Sequence, residues 1–274
     1  MRLITFDPFR TLGCPDVHYI KPAQLMNQRE LLEAADGILF PDYADIHLVS
    51  FALGKPVFPS LASYMLGFDK VEMTRAFQLS FPAHVPHTIM LPNEPRYQAR
   101  ILESMDFPFV AKLTRASMGE GVYLIEAEHD WHHYCSHTDM LYVQEKLDID
   151  RDLRIVWIGD RIVHAYWRVA APGAFHNNLA HGGSIELDNI PEPALKLVAS
   201  VATRFGIDYA GFDVAMVGDH PYLFEFNRLF GLEGLNRARI NTGAIIGEYL
   251  SRKWGGGGAT QPAGDTPSGP ARAA

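Results

Sequence analysis

Apolar positions along this chain fall into two rhythms, a period of two in its second half and a mixture of short apolar runs and helical stripes in its first. GFDVAMVGDHPYLFEFNRLFG, residues 211–231, reads as two strands about a tight turn. Alternation predicts Leu223, Glu225 and Asn227 on one side of the second strand and Phe224 and Phe226 on the other. DLRIVWIGDRIVHAYWRV predicts a hairpin turning at Gly159-Asp160, with Arg154, Val156 and Ile158 on one face. Ile162, His164, Tyr166 and Arg168 share a face of its partner. FPFVAKLTRASMGEGVYLI, residues 107–125, predicts a strand, a glycine-bearing turn and a returning strand, and Leu141 to Val143 a further strand that exits through Gln144 to Leu147.

The first sixty or so residues alternate RLITF, QRELLEAADG, GILF, ADIHLVSFALG and KPVFPS, a compact βαβαβ pattern that predicts a small parallel sheet. Gly37 and Gly54 are expected to end its two helices as C-terminal caps. Residues 192–205 predict a helix packing Leu195, Val198, Ala199, Ala202 and Phe205 against a core before Gly206 ends it. From Trp254 onward GGGGATQPAGDTPSGPARAA lacks periodicity and is expected to be a disordered tail. No internal repeat is present.

Composition narrows the function classes. With 274 residues, 47% of them hydrophobic, the chain can bury one large core or two to three small ones around a cleft. A net charge of -8 argues against a general nucleic-acid or anionic-membrane binder. Cys14 and Cys135 stand far apart and suggest a reducing compartment without a disulfide framework. MRLITFDPFR lacks a signal-type apolar stretch and no run approaches transmembrane length, so a cytoplasmic protein is expected.

Chemistry concentrates in the strand pairs. Asp213, Glu225 and Asn227 offer two carboxylates and an amide oxygen at the end of an apolar hairpin, a hard-oxygen set suited to Mg²⁺ when phosphate oxygens complete the shell. The same pattern also fits a hairpin whose polar face is simply solvated. Gly119 and Gly121 let a backbone approach phosphates closely, and Lys112 supplies a fixed positive charge nearby. No Walker pattern and no strand followed by GxGxxG occurs. Arg154 and Arg168 lie on strands, where they either snorkel at an edge or face anionic groups in a cleft. His129, His132, His133 and His137 crowd with Cys135 into HDWHHYCSH, and His133 and His137 have a spacing able to bind zinc. Histidines on a solvated helix face are the expected reading there.

The order of these motifs resembles the ATP-grasp superfamily, specifically its RimK-type glutamate ligases. The likeness rests on Lys112, the glycine loop, Gln144-Glu145-Lys146-Leu147, Asp152-Leu153-Arg154, Arg168, Asn177-Asn178, Gly182-Gly183, Asp213 and Glu225-x-Asn227, over roughly residues 68–250. It implies a mixed α/β and α+β fold, an ATP-grasp fold with a short amino-terminal βαβαβ domain at 1–66. A small subdomain with the phosphate loop would follow at 67–147, a large subdomain with the metal site at 148–253, and the tail at 254–274. It implies ATP and Mg²⁺ or Mn²⁺ as cofactors, with two ions accommodated, and Asp213, Glu225 and Asn227 as metal ligands. Lys112 would contact phosphate and base and Lys70 phosphate, with Ser117, Gly119 and Gly121 in the covering loop and Asn178 near the phosphates. Glu145, Lys146 and Leu147 would border the adenine, Asp152 the ribose, and Arg168 would stabilise the transferring phosphate.

The implied activity is amide or peptide bond formation between a carboxylate and an amine, a peptide among the partners, through an acyl phosphate. A small-molecule kinase and a silent ATP-binding regulatory module are the alternatives on the same scaffold. Oligomeric state stays open, although superfamily members often pair. His176 and His181 stand where the family tends to carry arginines, and Leu229-Phe230 replaces its Ser-Pro, so the substrate half departs from the pattern more than the nucleotide half.

Overall fold

A computed structural model describes residues 1–115, 121–169 and 184–255. At the amino terminus β1 (Leu3–Thr5), β2 (Val17–Tyr19), α1 (Arg29–Glu33), β3 (Gly37–Leu39) and β4 (Val57–Phe58) form a sheet ordered β2-β1-β3-β4, parallel throughout. The parallel sheet matches the sequence pattern, but β2 was not legible in it: VHY carries one partly buried and two exposed residues on an outer strand. Gly37 does not cap a helix. The helix ends at Glu33 with Ala34 as its cap, and Gly37 opens β3, where an added Cβ would lie 2.2 Å from the Trp254 ring. Gly54, by contrast, takes a φ of +61 just past the single wide turn Leu48–Ala52, as expected.

Two helices lead into the rest of the molecule. α2 (Leu61–Leu66) is capped by Ser60, whose hydroxyl accepts from the Ser63 N–H, and α3 (Lys70–Ser80) by Asp69, which accepts from Val71 N–H at 2.8 Å. A second sheet then combines β5 (Thr88–Pro92), β6 (Phe109–Lys112), β7 (Val122–Ile125) and β8 (Met140–Glu145) in the order β5-β8-β6-β7, antiparallel at every pairing. α4 (Pro95–Ser104) and α5 (Glu128–Cys135) cover one face, burying Ile101, Trp131 and Tyr134 with Phe109, Ala111, Leu141 and Val143.

The largest sheet runs β11-β10-β9-β12-β13, from β9 (Arg151–Ile158), β10 (Arg161–Val169), β11 (Ser184–Glu186), β12 (Tyr209–Val217) and β13 (His220–Asn227), with α6 (Glu192–Phe205) between β11 and β12. The β9-β10 turn falls at Gly159-Asp160 as predicted, with Gly159 at a φ of +71. α6 has the predicted span and its cap Gly206 is left-handed at φ 68. Its buried stripe is rotated from the predicted one: Ala194, Leu197, Val198, Val201 and Ala202 are buried, while Leu195, Ala199 and Phe205 flank them.

Two bulges reassign faces. In β13 Asp213 pairs with Glu225 and Val214 with Leu223, so Phe224 is an extra residue. Leu223 and Phe226 therefore share the core beneath α3 and α6, and Leu223 does not lie beside Glu225 as strict alternation predicted. In β10 Val163 is extra between the pairs Ile162–Trp157 and His164–Val156, which places Ile162 with the α6 core and off the His164 face. The other face of the sheet packs Val156, Ile158 and Tyr209 against Leu3, Leu39 and Phe58 of the first sheet and against α7 (Glu233–Arg237) and α8 (Thr242–Trp254). The first and largest sheets thus share one core.

Candidate active site

The start of α3, the exit of β6 and the end of β13 meet at one cleft. Lys112, the last residue of β6, is 8% exposed. The register that pairs Val110 with Gln144 places Lys112 two residues along the same face, and its Nζ donates to Gln144 Oε1 at 2.8 Å. Gln144 Nε2 in turn donates to Thr88 Oγ1 at 2.8 Å, which fixes the amide with its oxygen toward the lysine. Burial pushes the Lys112 ammonium down from 10.5 to about 8, against the opposing pull of Glu225 and with a further push from Lys70. The rings of Phe224 and Tyr142 lie 5.2 and 5.7 Å from Lys112 Nζ. The bulge at Phe224 is what lets the strand carry both this ring and Glu225 near the lysine.

Lys70 opens α3, and its backbone N–H donates to Thr114 O at 3.1 Å, tying the helix to the chain leaving β6. Its Nζ lies 3.2 Å from Glu225 Oε2, and Asn227 Nδ2 donates to Glu225 Oε1 at 3.0 Å. With Thr114, Arg115 and Phe68 these residues line a cavity of about 110 Å³. Asp213 sits opposite Glu225, and Gly211 opposite Asn227, so the three oxygen-bearing side chains of the predicted set share one face of the β12–β13 pair. Their donor atoms are all hard oxygens, which suits Mg²⁺ or Mn²⁺.

Asp213 is 7% exposed and belongs to a buried chain of alternating charge. Arg154 Nε donates to its Oδ1 at 2.6 Å, and Arg168 Nη2 lies 3.1 Å from its Oδ2. Arg168 donates from Nε and Nη2 to the two oxygens of Asp152 at 2.8 and 2.5 Å. Burial alone would raise the Asp213 carboxyl, but the two guanidiniums outweigh it and hold Asp213 below its ordinary range. Arg154 and Arg168 are therefore not snorkelling; both are buried against carboxylates.

Glu145 ends β8 and accepts from His87 N–H at 2.6 Å, while exposed Lys146 and partly buried Leu147 follow in the loop. Gly121 takes a φ of +78 where the chain returns into β7. Ser117, Gly119, Asn177, Asn178, His176, His181, Gly182, Gly183 and the segment 256–274 lie outside the described residues. His129, His132, His133 and His137 are exposed on α5 and the turn after it, whose inward side buries Trp131 and Tyr134. The sequence marked Gln144 as part of a strand exit and of the motif Gln144-Glu145-Lys146-Leu147, without giving it a role. A glutamine within an otherwise apolar strand was the available signal for its grip on Lys112. Thr88 and Arg228 carried no such signal.

Comparison with known proteins bears on this geometry. The family described as the RimK-like ATP-grasp domain matches residues 74–250. The chain belongs to the RimK-like ATP-grasp family. Lys70 precedes the matched stretch, whereas Lys112, Asp213, Glu225 and Asn227 fall within it. A relative named probable alpha-L-glutamate ligase from Parasynechococcus marenigrum (strain WH8102) is 36% identical over 156 residues, covering 54% of this chain and 33% of the relative. Another of that name from Enterobacter sp. (strain 638) is 32% identical over 151 residues, covering 53% of this chain and 49% of its own length. The chain thus spans a third of the first of these relatives and about half of the second.

Solved structures agree on the fold. A RimK domain protein ATP-grasp from Sphaerobacter thermophilus DSM 20745 superposes with a TM-score of 0.69 at 17% identity, covering 91% of this chain and 99% of the other. D-alanine--D-alanine ligase from Bacillus anthracis complexed with ATP gives 0.68 at 13% identity, covering 92% and 96%. These likenesses extend the ATP-grasp architecture across the amino-terminal sheet, which lies outside the RimK-like match.

Proposed function

We propose that this chain is an ATP-dependent carboxylate-amine ligase that works through an acyl phosphate and releases ADP and phosphate. The observation that carries the reading is the convergence on one cleft of two lysines, Lys70 and Lys112, with the hard-oxygen trio Asp213, Glu225 and Asn227, inside the RimK-like match or at its edge. Lys70 and Lys112 hold the nucleotide phosphates, and the turn carrying Ser117, Gly119 and Gly121 covers them, with Asn178 alongside. Glu145, Lys146 and Leu147 border the adenine. Asp152, which the family resemblance puts at the ribose, also orients Arg168 through two hydrogen bonds.

Asp213, Glu225 and Asn227 would hold Mg²⁺ or Mn²⁺, one ion or two, which when bound would screen the charge on the β- and γ-phosphates. A substrate carboxylate oxygen attacks the γ-phosphorus, the bond to the β,γ-bridging oxygen breaks, and ADP departs with that electron pair. An amine nitrogen then attacks the acyl carbon, phosphate leaves with the C–O electron pair, and the amine proton passes to solvent. Arg168 supplies fixed positive charge near the transferring group. The chain's task is mostly positioning and neutralisation, so the chemistry needs no dedicated nucleophilic side chain. Among the described residues no helix is long and apolar enough to cross a membrane.

The test is a matrix of carboxylates and amines scanned with Mg-ATP for free phosphate. The ligase reading expects ADP and phosphate only where both substrates are supplied. A stable phosphoester with no free phosphate would mark a kinase instead, and no turnover with any pair would mark a silent nucleotide-binding module.

A further inference from the structure

Three arginines of the described chain are buried, and two of them, Arg154 and Arg168, are paired to carboxylates in the network around Asp213. The third is different. Arg228 is 6% exposed, and among the described residues it pairs with no carboxylate and its Nε has no hydrogen-bond partner. Its guanidinium carbon lies 4.4 Å from the centroid of the Tyr43 ring and 4.2 Å from that of Tyr64. Aromatic rings stabilise a cation over their faces but do not accept its in-plane N–H donors. A charge desolvated this far without a counter-charge is costly, and such a group calls for a partner.

Its position says where that partner comes from. Arg228 directly follows Asn227, so their Cα atoms are about 3.8 Å apart. Tyr43, one of its two rings, packs against Phe68 at 4.9 Å between centroids, and Phe68 lines the cleft together with Lys70, Glu225 and Asn227. Arg228 therefore stands beside the end of β13, against the tyrosines that pack with the amino-terminal sheet, one ring contact from the cleft.

We infer that Arg228 binds the carboxylate of an incoming substrate. The Tyr43 and Tyr64 rings lie against its guanidinium without taking up its in-plane donors, and a guanidinium edge matches the two oxygens of a carboxylate by paired N–H donors. The two lysines of the cleft already provide positive charge for phosphate. The substrate class rests on the ligase reading; the anion site itself does not.

The experiment has one arm for each. In the first, the Arg228 Nε–Hε resonance of the ¹⁵N-labelled wild-type chain, assigned by its loss in Arg228→Lys, is followed at constant ionic strength during titration with sodium acetate, sodium L-glutamate and inorganic phosphate. Saturable shifts with the carboxylates and none with phosphate at equal concentration are expected. No shift with either carboxylate, or an equal shift with phosphate, overturns the inference. In the second arm, on a substrate pair that releases phosphate, Arg228→Lys should raise KM for one carboxylate-bearing substrate at least tenfold, with KM for ATP within twofold. Replacing that carboxylate by its carboxamide should cost wild type a similar factor and cost the variant little more. Equal changes in KM for ATP, or unchanged KM for the carboxylate, overturn it. If wild type releases phosphate with no pair, the ligase reading fails while the first arm still decides the anion site.

Discussion

Lys112 carries its positive charge into a place where burial opposes it, and that conflict brings its titration down toward neutral pH. With its ammonium brought down from 10.5 to about 8, the folded chain holds this proton less tightly than the unfolded chain. Stability from this group is therefore fully present above pH 10.5 and lost as pH falls through 8, an amplitude on the order of 3 kcal/mol. Nucleotide binding runs the other way, because phosphate needs the charged form. ATP affinity should stay level up to about pH 8 and then fall roughly tenfold per unit. Titrating ATP from neutral to alkaline pH checks this, and Lys112→Arg should flatten the curve because a guanidinium stays protonated. Arg168 makes a second prediction at this scale. Arg168→Ala should lower turnover by roughly a hundred- to a thousandfold with ATP affinity changed only a few-fold. Loss of ATP binding instead, measured by equilibrium titration on variant shown to be folded, would leave Arg168 a purely structural partner of Asp152 and Asp213.

Elements place these residues, and they do so through departures from ideal geometry. The extra residue Phe224 in β13 moves Leu223 to the core and keeps Glu225 opposite Asp213, so the strand reads the core and the cleft from one sequence. α8 shows the same economy in packing. An added Cβ at Gly243 would lie 2.2 Å from the Leu12 carbonyl oxygen, so backbone of the loop after β1 sits directly on the helix. Gly243→Ala should cost about 1–3 kcal/mol despite the better helix propensity of alanine, because the obstacle is backbone and cannot rotate away. Chemical denaturation decides between that loss and the few tenths to 1 kcal/mol gain expected of an unobstructed helix glycine. The contact was not legible in the sequence: Gly243 and Leu12 stand far apart in the chain, and a glycine inside a helical stripe announces neither partner nor distance.

At the scale of the molecule, the largest sheet serves as a shared wall. α3 and α6 pack one face, while the amino-terminal sheet, α7 and α8 pack the other. The second sheet delivers Lys112 to the end of that wall, and Thr114 joins it to α3 through Lys70 N–H. A nucleotide held between Lys112 and the end of β13 would bridge the two sheets and stabilise both. Mg-ATP at a hundred times its Kd should add about 2.7 kcal/mol to stability. Glu225→Gln should erase the part of that gain that depends on Mg²⁺ and retain the part ATP gives alone. Thermal melts with ATP, with Mg²⁺ and with both separate these terms; a magnesium-dependent shift preserved in Glu225→Gln would remove Glu225 from the metal set.

Local order determined much of this protein. Alternation and turn residues marked the strands around Lys112, Arg154, Arg168 and Asp213, a helical stripe marked residues 192–205, and motif order pointed to the RimK-like family. These signals survive in sequence because each depends on neighbours a few residues apart. Tertiary structure alone decided which face Leu223 and Ile162 take, that Gly37 clears space for Trp254, that Asp213 is gripped by two arginines, and that Arg228 is buried between two tyrosines. Each of these depends on a bulge that shifts register by one residue, or on a contact between segments distant in the chain. The energy that fixes them comes from packing and desolvation, which no short window of sequence contains.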